Sequence, residues 1–255
     1  MNKPRTFPGS PSVSIMGIPI NYSTWEELIR KIDDWVEDKA PRYICICNVH
    51  SVVTASDHAA LKAALVNSDL NTPDGGPLAS YISKVMDIKQ ERLNGPDLML
   101  RYTRQSSNPA RRVYLYGATE KCLELLSARL RAENSLLDIV GSYSPPYRVL
   151  SESEKKEIID RINSTEPEIV WVGLGCPKQE IWMHENSASI NAVLIGVGAA
   201  FDYHAGLIHR APEWMQRNNL EWLHRLWSEP RRLWRRYLYT NSRYLLWLFI
   251  NKLRG

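Results

Sequence analysis

The segment EIVWVGLG, residues 168–175, is a short apolar run that ends in two glycines. Its β-branched and aromatic centre is typical of a buried strand, and the glycines indicate the turn that follows. Five further runs share this character and alternate with amphipathic, helix-like stretches: RYICICN (42–48), DLNT (69–72), RVYLYGA (112–118), LLDIVGS (136–142) and AVLIGVGA (192–199). The alternation predicts an α/β fold, a doubly wound parallel sheet covered by helices.

Two helix starts can be recognised between the predicted strands. Ser23 with Glu26, and Ser151 with Glu154, have the capping-box spacing. In this motif the hydroxyl and the carboxylate satisfy free backbone N–H groups reciprocally. Both pairs therefore predict the first turn of a helix.

The composition is that of an ordinary globular chain, with 255 residues, 44% hydrophobic and 24% charged. Four cysteines in a chain of this length do not indicate a disulfide framework, and the N-terminus lacks the apolar core of a signal peptide. Cys45, Cys47 and His50 could be metal ligands, but both cysteines fall inside a predicted buried strand. We therefore expect core cysteines and a cytoplasmic protein.

Positive charge is concentrated at the C-terminal end. From residue 231 onward there are seven basic and no acidic residues, whereas the net charge of the whole chain is +4. The longest apolar run there, YLLWLFI at residues 244–250, is far shorter than the roughly 20 residues that a spanning helix needs. We therefore assign residues 1–11 to a flexible N-terminus, 12–205 to the α/β domain and 206–255 to a basic, aromatic, helical appendage that lies on a membrane.

The same tail leaves a second class of function open. Arginines beside exposed aromatic side chains also suit phosphate contacts and base stacking in a nucleic-acid-binding protein. The apolar run favours a lipid interface, so we expect no nucleic-acid partner. The predicted membrane contacts are Arg243, Trp247, Phe249, Lys252 and Arg254.

Ligands of doubly wound sheets bind beyond the carboxyl ends of the strands. Two segments at these ends are glycine-rich, GLGCPK (173–178) and GVGAAF (196–201), and glycine lets backbone amides approach phosphate oxygens. Neither segment completes G-x-G-x-x-G, and no G-x-x-x-x-G-K-[ST] occurs, which disfavours NAD enzymes and P-loop NTPases. A diphosphate ligand fits, although tight turns alone would also explain the glycines. The candidate ligand-binding residues at these strand ends are Asn48, Gly75, Gly117, Gly175, Lys178 and Gly198.

One carboxylate also falls at this edge, Asp74 in NTPDGGPLAS (71–80). Asp and Gly tolerate tight backbone geometry, so a turn would explain the residue. The decapeptide by itself favours that interpretation.

Four segments resemble, in the same order, the signature blocks of the WecG/TagA/CpsF glycosyltransferases: NTPDGG (71–76), RLNGPDLM (92–99), WVGLGCPKQEIWM (171–183) and a long block at 196–238. The resemblance covers roughly residues 12–240. It implies a Rossmann-like domain whose C-terminal appendage helps complete the active site and docks on the membrane. It also implies inverting transfer of a hexosyl- or N-acetylhexosaminyl-type sugar from a UDP-sugar to an undecaprenyl-diphosphate-linked saccharide. The reaction would take place on the cytoplasmic face of the inner membrane, in the assembly of surface polysaccharide or exopolysaccharide.

The resemblance identifies Asp74 with the family's proposed catalytic base, which takes a proton from the acceptor hydroxyl. Charge on the leaving UDP must also be balanced, by a metal or by fixed cations. The chain has no D-x-D pair, and the family's functional arginines match Arg225, Arg232 and Arg235. We therefore expect neither a metal nor another cofactor.

Two further residues match family positions near the nucleotide-sugar, Gln179 and Arg92. A hydrogen bond at a helix start and a salt bridge within the domain are the respective alternatives. Arg231 and Arg236 are expected to be solvated or to face lipid.

The first strand departs from the family pattern. Many members carry a threonine two residues before the asparagine that matches Asn48, whereas this chain has Ile46 there. Two interpretations of Asn48 stay open, a pocket residue and a helix cap. The donor sugar, the acceptor glycan, the linkage and the oligomeric state, a homo-oligomer included, stay open. A second function also stays open, namely a protein that binds a nucleotide-sugar without turning it over. The presence of Asp74 and the arginines argues against this alternative.

Overall fold

The computed structural model describes residues 11–105 and 111–254. Most of the predicted flexible N-terminus, residues 1–10, lies outside the described residues. The strands are β1 (Ser12–Ile15), β2 (Ile18–Asn21), β3 (Arg42–Cys47), β4 (Leu70–Pro73), β5 (Arg112–Gly117), β6 (Asp138–Tyr143), β7 (Ile169–Gly173) and β8 (Val193–Gly196). The helices are α1 (Trp25–Glu37), α2 (Val49–Asp57), α3 (Ala59–Val66), α4 (Gly76–Met86), α5 (Gly95–Gln105), α6 (Glu120–Glu133), α7 (Glu152–Ser164), α8 (Lys178–Asn186), α9 (Ala200–His204), α10 (Glu213–Arg217), α11 (Glu221–Ser228) and α12 (Pro230–Arg254).

Within the described residues, six strands form one parallel sheet in the order β4-β3-β8-β7-β5-β6. The register aligns Ile44 of β3 with Leu70 of β4 on one side and with Ile195 of β8 on the other. All six strands therefore end at one edge, and the chain order reverses around the central strands, where such sheets bind ligands. The predicted α/β fold with a parallel sheet is confirmed.

Alternate side chains of the central strands pack into two cores, one on each face of the sheet. On β7, Val170 and Val172 join one core, and Trp171 joins the other. Burial on both faces explains why these strands are continuous apolar runs. Cys45 and Cys47 are fully buried in the first core, and burial raises the pKa of both thiols, so they are core residues as predicted.

A short antiparallel hairpin, β1 and β2, precedes the domain and was not predicted. Met16 and Gly17 form its turn with φ of 52° and 81°, the left-handed region that two-residue hairpin turns require. Asn21 at its end accepts a hydrogen bond from the backbone N–H of Asn71 at 2.8 Å. The hairpin is thereby attached beside the edge strand β4.

One of the two predicted capping boxes is correct. Ser151 caps α7 with Glu154, as expected. The prediction for α1 is wrong by one residue, because Thr24 and Glu27 form the box. Thr24 has the extended backbone of a cap, whereas the N–H of Ser23 donates to Gln90 Oε1 at 3.0 Å.

Four helices, α9 to α12, follow the last strand of the sheet in the described residues. α11 ends at Ser228 and α12 begins at Pro230, so the proline separates Arg225 from the later arginines. α12 packs along α2 and against α11. None of the described helices combines the length and the apolar character that crossing a bilayer requires.

Candidate active site

A cavity of about 1330 Å³ opens at the carboxyl ends of the central strands. The loops after β3, β4, β7 and β8 form its floor, and α11 and α12 close it from above. Most of the predicted site residues line it together: Asn48, Asp74, Gly75, Arg92, Gly175, Lys178, Gln179, Gly198, Arg225 and Arg232. Gly117 and Arg235 are not among the lining residues.

Asp74 follows β4 and is held by neighbouring backbone. Its N–H donates to the carbonyl of Cys47 at 2.8 Å, and Arg92 Nε donates to its carbonyl at 2.9 Å. Asn48 Nδ2 donates to Oδ2 at 3.4 Å, and Arg92 Nη2 lies 3.8 Å from Oδ1. Within the described residues the carboxyl accepts no backbone N–H, so it does not act as a turn or cap acceptor, and 27% of the side chain stays exposed.

The electrostatic setting of Asp74 favours a base. Burial raises the pKa of its carboxyl above the ordinary value, and Glu221 adds to the rise. Arg92, the Asn48 hydrogen bond and Arg225 oppose the rise. A carboxylate with a raised pKa accepts a proton more readily.

Arg92 connects Asp74 with α11. Its Nη2 pairs with Glu221 Oε2 at 2.8 Å. The second oxygen of Glu221 accepts a hydrogen bond from Arg210 Nε at 3.3 Å, and Arg210 also pairs with Asp97 at the start of α5. The salt-bridge alternative for Arg92 is thus present, and the same side chain lines the cavity.

Gln179 lies in the first turn of α8 with both ends of its amide engaged. Its Oε1 accepts the N–H of Gly175 at 3.2 Å, and its Nε2 donates to Glu180 Oε1 at 2.9 Å. A Cβ at Gly196 would lie 3.2 Å from this amide and 2.7 Å from Met183, so glycine there leaves room for both side chains. The helix-start hydrogen bond therefore coexists with a place in the cavity wall.

Asn48, Ile46 and Lys178 lie at the carboxyl edge of the sheet, as predicted for the ends of β3 and β7. Asn48 caps α2 by accepting the N–H of Ser51 at 3.2 Å, so its cap role and its contact with Asp74 coexist. Ile46, the residue that replaces the family's threonine, also lines the cavity. Lys178 lines it too, with Nζ 4.2 Å from the ring centroid of Tyr147.

Gly117 has a structural role in the sheet. Its φ is +121°, and a Cβ there would lie 2.6 Å from the backbone of Gly173. The loop after β5 is not one of the four loops that form the cavity floor. Gly117 is not among the residues that line the cavity, and its assignment to the ligand site stays a prediction beside the tight-turn alternative.

The arginines of α11 and α12 fall into a cavity-lining group and an exposed group, and the membership of these groups differs from the prediction. Arg225 and Arg232 line the cavity, as does Arg236, which was expected to be solvated or lipid-facing. Arg235 is exposed, with its guanidinium carbon 5.2 Å from the ring centroid of Trp234. Helical spacing does not decide this division, since residues three and four apart are both neighbours of residue 232 on a helix surface. Residues 235 and 236 differ by about 100° around the helix axis, and the packing of α12 turns residue 236 toward the cavity. Arg231 is exposed, as expected.

Sequence reasoning did not assign several polar residues that line the cavity, among them His50, Glu221 and Arg236. Burial, Arg236 and Arg225 lower the pKa of His50 to about 4, so its imidazole is uncharged near neutral pH. The four-residue spacing from Arg232 could have indicated Arg236. Glu221 had no local signal, because its partners are distant in the sequence.

The predicted membrane residues of α12 do not share one environment. Phe249 is 61% exposed, and Lys252 lies at the cavity rim. Arg254 ends the helix, and its side chain lies outside the described residues. Only part of this set is therefore available to a lipid surface.

Arg243 and Trp247 are directed toward the α/β domain instead. Arg243 pairs with Asp57 at the end of α2. The ring centroid of Trp247 lies 5.2 Å from that of Tyr81 on α4. These contacts hold α12 against the domain.

Across residues 11–105 and 111–254, no group of three or more His, Cys, Asp or Glu side chains is arranged to hold a metal ion. The cavity lining includes four arginines and three lysines in the described residues: Arg92, Arg225, Arg232, Arg236, Lys84, Lys178 and Lys252. Independence from metal and cofactor stays a prediction.

The fold and cavity define an α/β protein with a cation-rich cavity at the carboxyl edge of a parallel sheet, and burial raises the pKa of three carboxyls that line it, Asp74, Glu180 and Asp202. The family model for the WecG/TagA/CpsF glycosyl transferases matches residues 13–255. The chain belongs to this family. It is also similar to a protein of Bacillus spizizenii, N-acetylglucosaminyldiphosphoundecaprenol N-acetyl-beta-D-mannosaminyltransferase, with 29% identity over 205 residues, which is 80% of this chain and 77% of the relative.

Proposed function

We propose that the protein is an inverting glycosyltransferase that moves a sugar from a UDP-sugar to an undecaprenyl-diphosphate-linked saccharide in surface-polysaccharide assembly. The observation that carries the proposal is Asp74, a partly exposed carboxylate with a raised pKa in an arginine-lined cavity of a chain from this family.

The proposed reaction is a single displacement. The acceptor hydroxyl attacks the anomeric carbon, and its proton passes to the Asp74 carboxylate as the new C–O bond forms. The bond between the anomeric carbon and the β-phosphate oxygen breaks, and its electron pair leaves with UDP. Attack from the face opposite the leaving group inverts the anomeric configuration.

Arginines would balance the charge that develops on the leaving diphosphate. Arg225 and Arg232 line the same cavity as Asp74, and fixed guanidinium groups stabilise phosphate oxygens without a metal. We propose that the reaction needs no divalent cation.

The acceptor proposal rests on the relative, whose name specifies a diphosphoundecaprenol-linked N-acetylglucosamine. We do not assign the relative's N-acetylmannosamine specificity to this chain. The apolar side chain of Ile46 lines the cavity here, whereas many family members carry a hydroxyl at this position. A lipid-linked acceptor also supports attachment of the protein to the inner face of the cell membrane.

A panel of UDP-sugars incubated with polyprenyl-diphosphate-linked saccharides tests the proposal, with product mass and anomeric configuration as readouts. We expect one donor to add one hexose or N-acetylhexosamine with inverted configuration, and excess EDTA to leave the rate unchanged. Donor binding without transfer would support the non-catalytic alternative. Loss of turnover in EDTA, restored by Mg²⁺ or Mn²⁺, would contradict the role given to the arginines.

A further inference from the structure

Arg236 is a cation in the cavity wall without a polar partner for its inner nitrogen. The side chain is half-buried, and its Nε is buried with no hydrogen-bond partner in the described part of the chain. Its guanidinium carbon lies 5.7 Å from the ring centroid of Tyr237. A buried guanidinium donor without an acceptor is costly, so this arrangement indicates a site completed by a ligand.

Within the described residues no carboxylate forms a direct ion pair with Arg236, although Glu229 lies near enough for Arg236 to lower the pKa of its carboxyl. Burial lowers the pKa of Arg236, and of its strongest electrostatic neighbours Arg225 and Arg232 lower it further, while Tyr237 and Cys176 raise it. Glu229 pairs with Arg232 at 2.5 Å. Arg225, Arg232 and Arg236 thus form a cluster of cations in which only Arg232 pairs directly with Glu229. Such a cluster favours binding of an anion between the guanidinium groups.

Arg236 lies on the side of the cavity that the loop between β7 and α8 forms. Arg236 and Cys176 both line the cavity, and Arg236 lies close enough to lower the pKa of the Cys176 thiol, which burial raises. Cys176 belongs to the loop between β7 and α8. The same loop contributes Gly175, Lys178 and Gln179 to the cavity wall. Arg236 therefore faces this loop.

We propose that Arg236, rather than its neighbour Arg235, completes a diphosphate site with Arg225 and Arg232, and that the diphosphate belongs to the nucleotide donor. This inference rests on the proposed function for the identity of the donor. Arg235 serves as a matched control, since it is the same residue type on the same helix but is exposed beside Trp234.

Isothermal titration of the full chain tests the assignment, with Arg236→Ala and Arg235→Ala compared against the unaltered protein. The ligands are UDP, uridine and inorganic pyrophosphate. We expect Arg236→Ala to weaken UDP and pyrophosphate binding at least tenfold and to leave uridine binding unchanged, since charge-assisted hydrogen bonds to phosphate are lost. Arg235→Ala should stay within about twofold for all three ligands.

Thermal unfolding without ligand separates binding from structure. Removing a buried cation that forms no direct ion pair in the described part of the chain should leave the melting temperature of Arg236→Ala equal or higher, whereas a residue with a purely structural role would lower it. Titration with a short-chain prenyl-diphosphate saccharide distinguishes the two diphosphates, and we expect the variant to bind it normally.

Three results would overturn the inference: unchanged UDP affinity in Arg236→Ala, an equal loss in Arg235→Ala, or a loss confined to the prenyl-diphosphate ligand. Failure of the unaltered protein to bind UDP would overturn the donor assignment as well. Absence of transfer with every UDP-sugar would contradict the proposed function but not the pyrophosphate comparison.

Discussion

The carboxyl group of Asp74 is subject to opposing influences from the residues around it. Burial and Glu221 raise its pKa, while Arg92, Asn48 and Arg225 lower it. Its ionised form is needed if it acts as the base, so its neighbours should control the acidic limit of activity. Substitutions at Asp74 and at Glu221 therefore have different expected effects on activity.

Asp74→Asn should lower turnover about 100-fold or more, since an amide keeps the shape but cannot take up the proton. UDP affinity should stay close to that of the unaltered protein, because the proposed phosphate contacts come from other residues. Rates from product formation and Kd from titration check this. Near-normal turnover would remove Asp74 from the mechanism.

Glu221→Gln should move the acidic limb of the kcat/KM pH profile to lower pH. Activity is lost as pH falls through the pKa of Asp74, and the negative charge of Glu221 raises that pKa, so its removal lowers it. Glu213→Gln on α10 is the control, because Glu213 is an exposed partner of Arg217. A limb that moves to higher pH, or moves equally in the control, would contradict this assignment.

α12 is held in position by contacts of residues that follow Arg232 and Arg236 in the sequence. Tyr244 is only 3% exposed, and its hydroxyl donates to the carbonyl of Pro77 at 3.2 Å. Its ring also stacks on Trp247, with centroids 5.9 Å apart. Cutting the chain after Tyr239 would remove these contacts, so a truncation could not separate membrane binding from catalysis. Point substitutions are required instead.

Tyr244→Ala should destabilise the protein by about 3 kcal/mol or more, since it removes a buried ring from a packed core. Arg243→Ala should have a much smaller effect, because its partner Asp57 is exposed. Urea unfolding followed by circular dichroism measures both. Equal, small effects would indicate that α12 is not anchored by its packing against the domain.

At the scale of the whole molecule, the outer side of α12 is an exposed apolar strip. It contains side chains between 38% and 71% exposed: Trp234, Leu238, Leu246, Phe249, Ile250 and Leu253. The opposite side of the same helix contributes Arg232 and Arg236 to the cavity. One helix therefore presents lipid-compatible residues outward and cations inward.

Replacing Leu246, Phe249 and Leu253 together by serine should weaken binding to anionic liposomes about tenfold or more, because apolar burial at the interface is lost. Activity on a water-soluble short-chain acceptor should stay within about twofold. Leu136→Ser, at a side chain that is 59% exposed in the α/β domain, is the matched control.

Arg232→Ala should give the opposite result, with normal sedimentation with liposomes and lost turnover. Liposome binding that survives the triple substitution would contradict the membrane role of the strip. Preferential binding of single-stranded oligonucleotides at matched salt would favour the nucleic-acid alternative.

The sequence by itself determined the parallel sheet and the edge at which the cavity opens. Local periodicity and glycine-rich strand ends were sufficient, because the central strands are buried on both faces and each loop follows its strand directly. The break at Pro230 was also local, since proline stabilises the start of a helix but not its interior. The resemblance to one family added the identity of Asp74 as a candidate base.

Tertiary structure alone decided which side chains face the cavity. Arg235 and Arg236 are adjacent and chemically identical, and only the packing of α12 on α2 directs one outward and the other inward. Glu221 reaches Arg92 across 129 positions of sequence, which no periodicity encodes. Composition and spacing specify which faces a helix can present, whereas the direction of each face depends on the elements against which the helix packs.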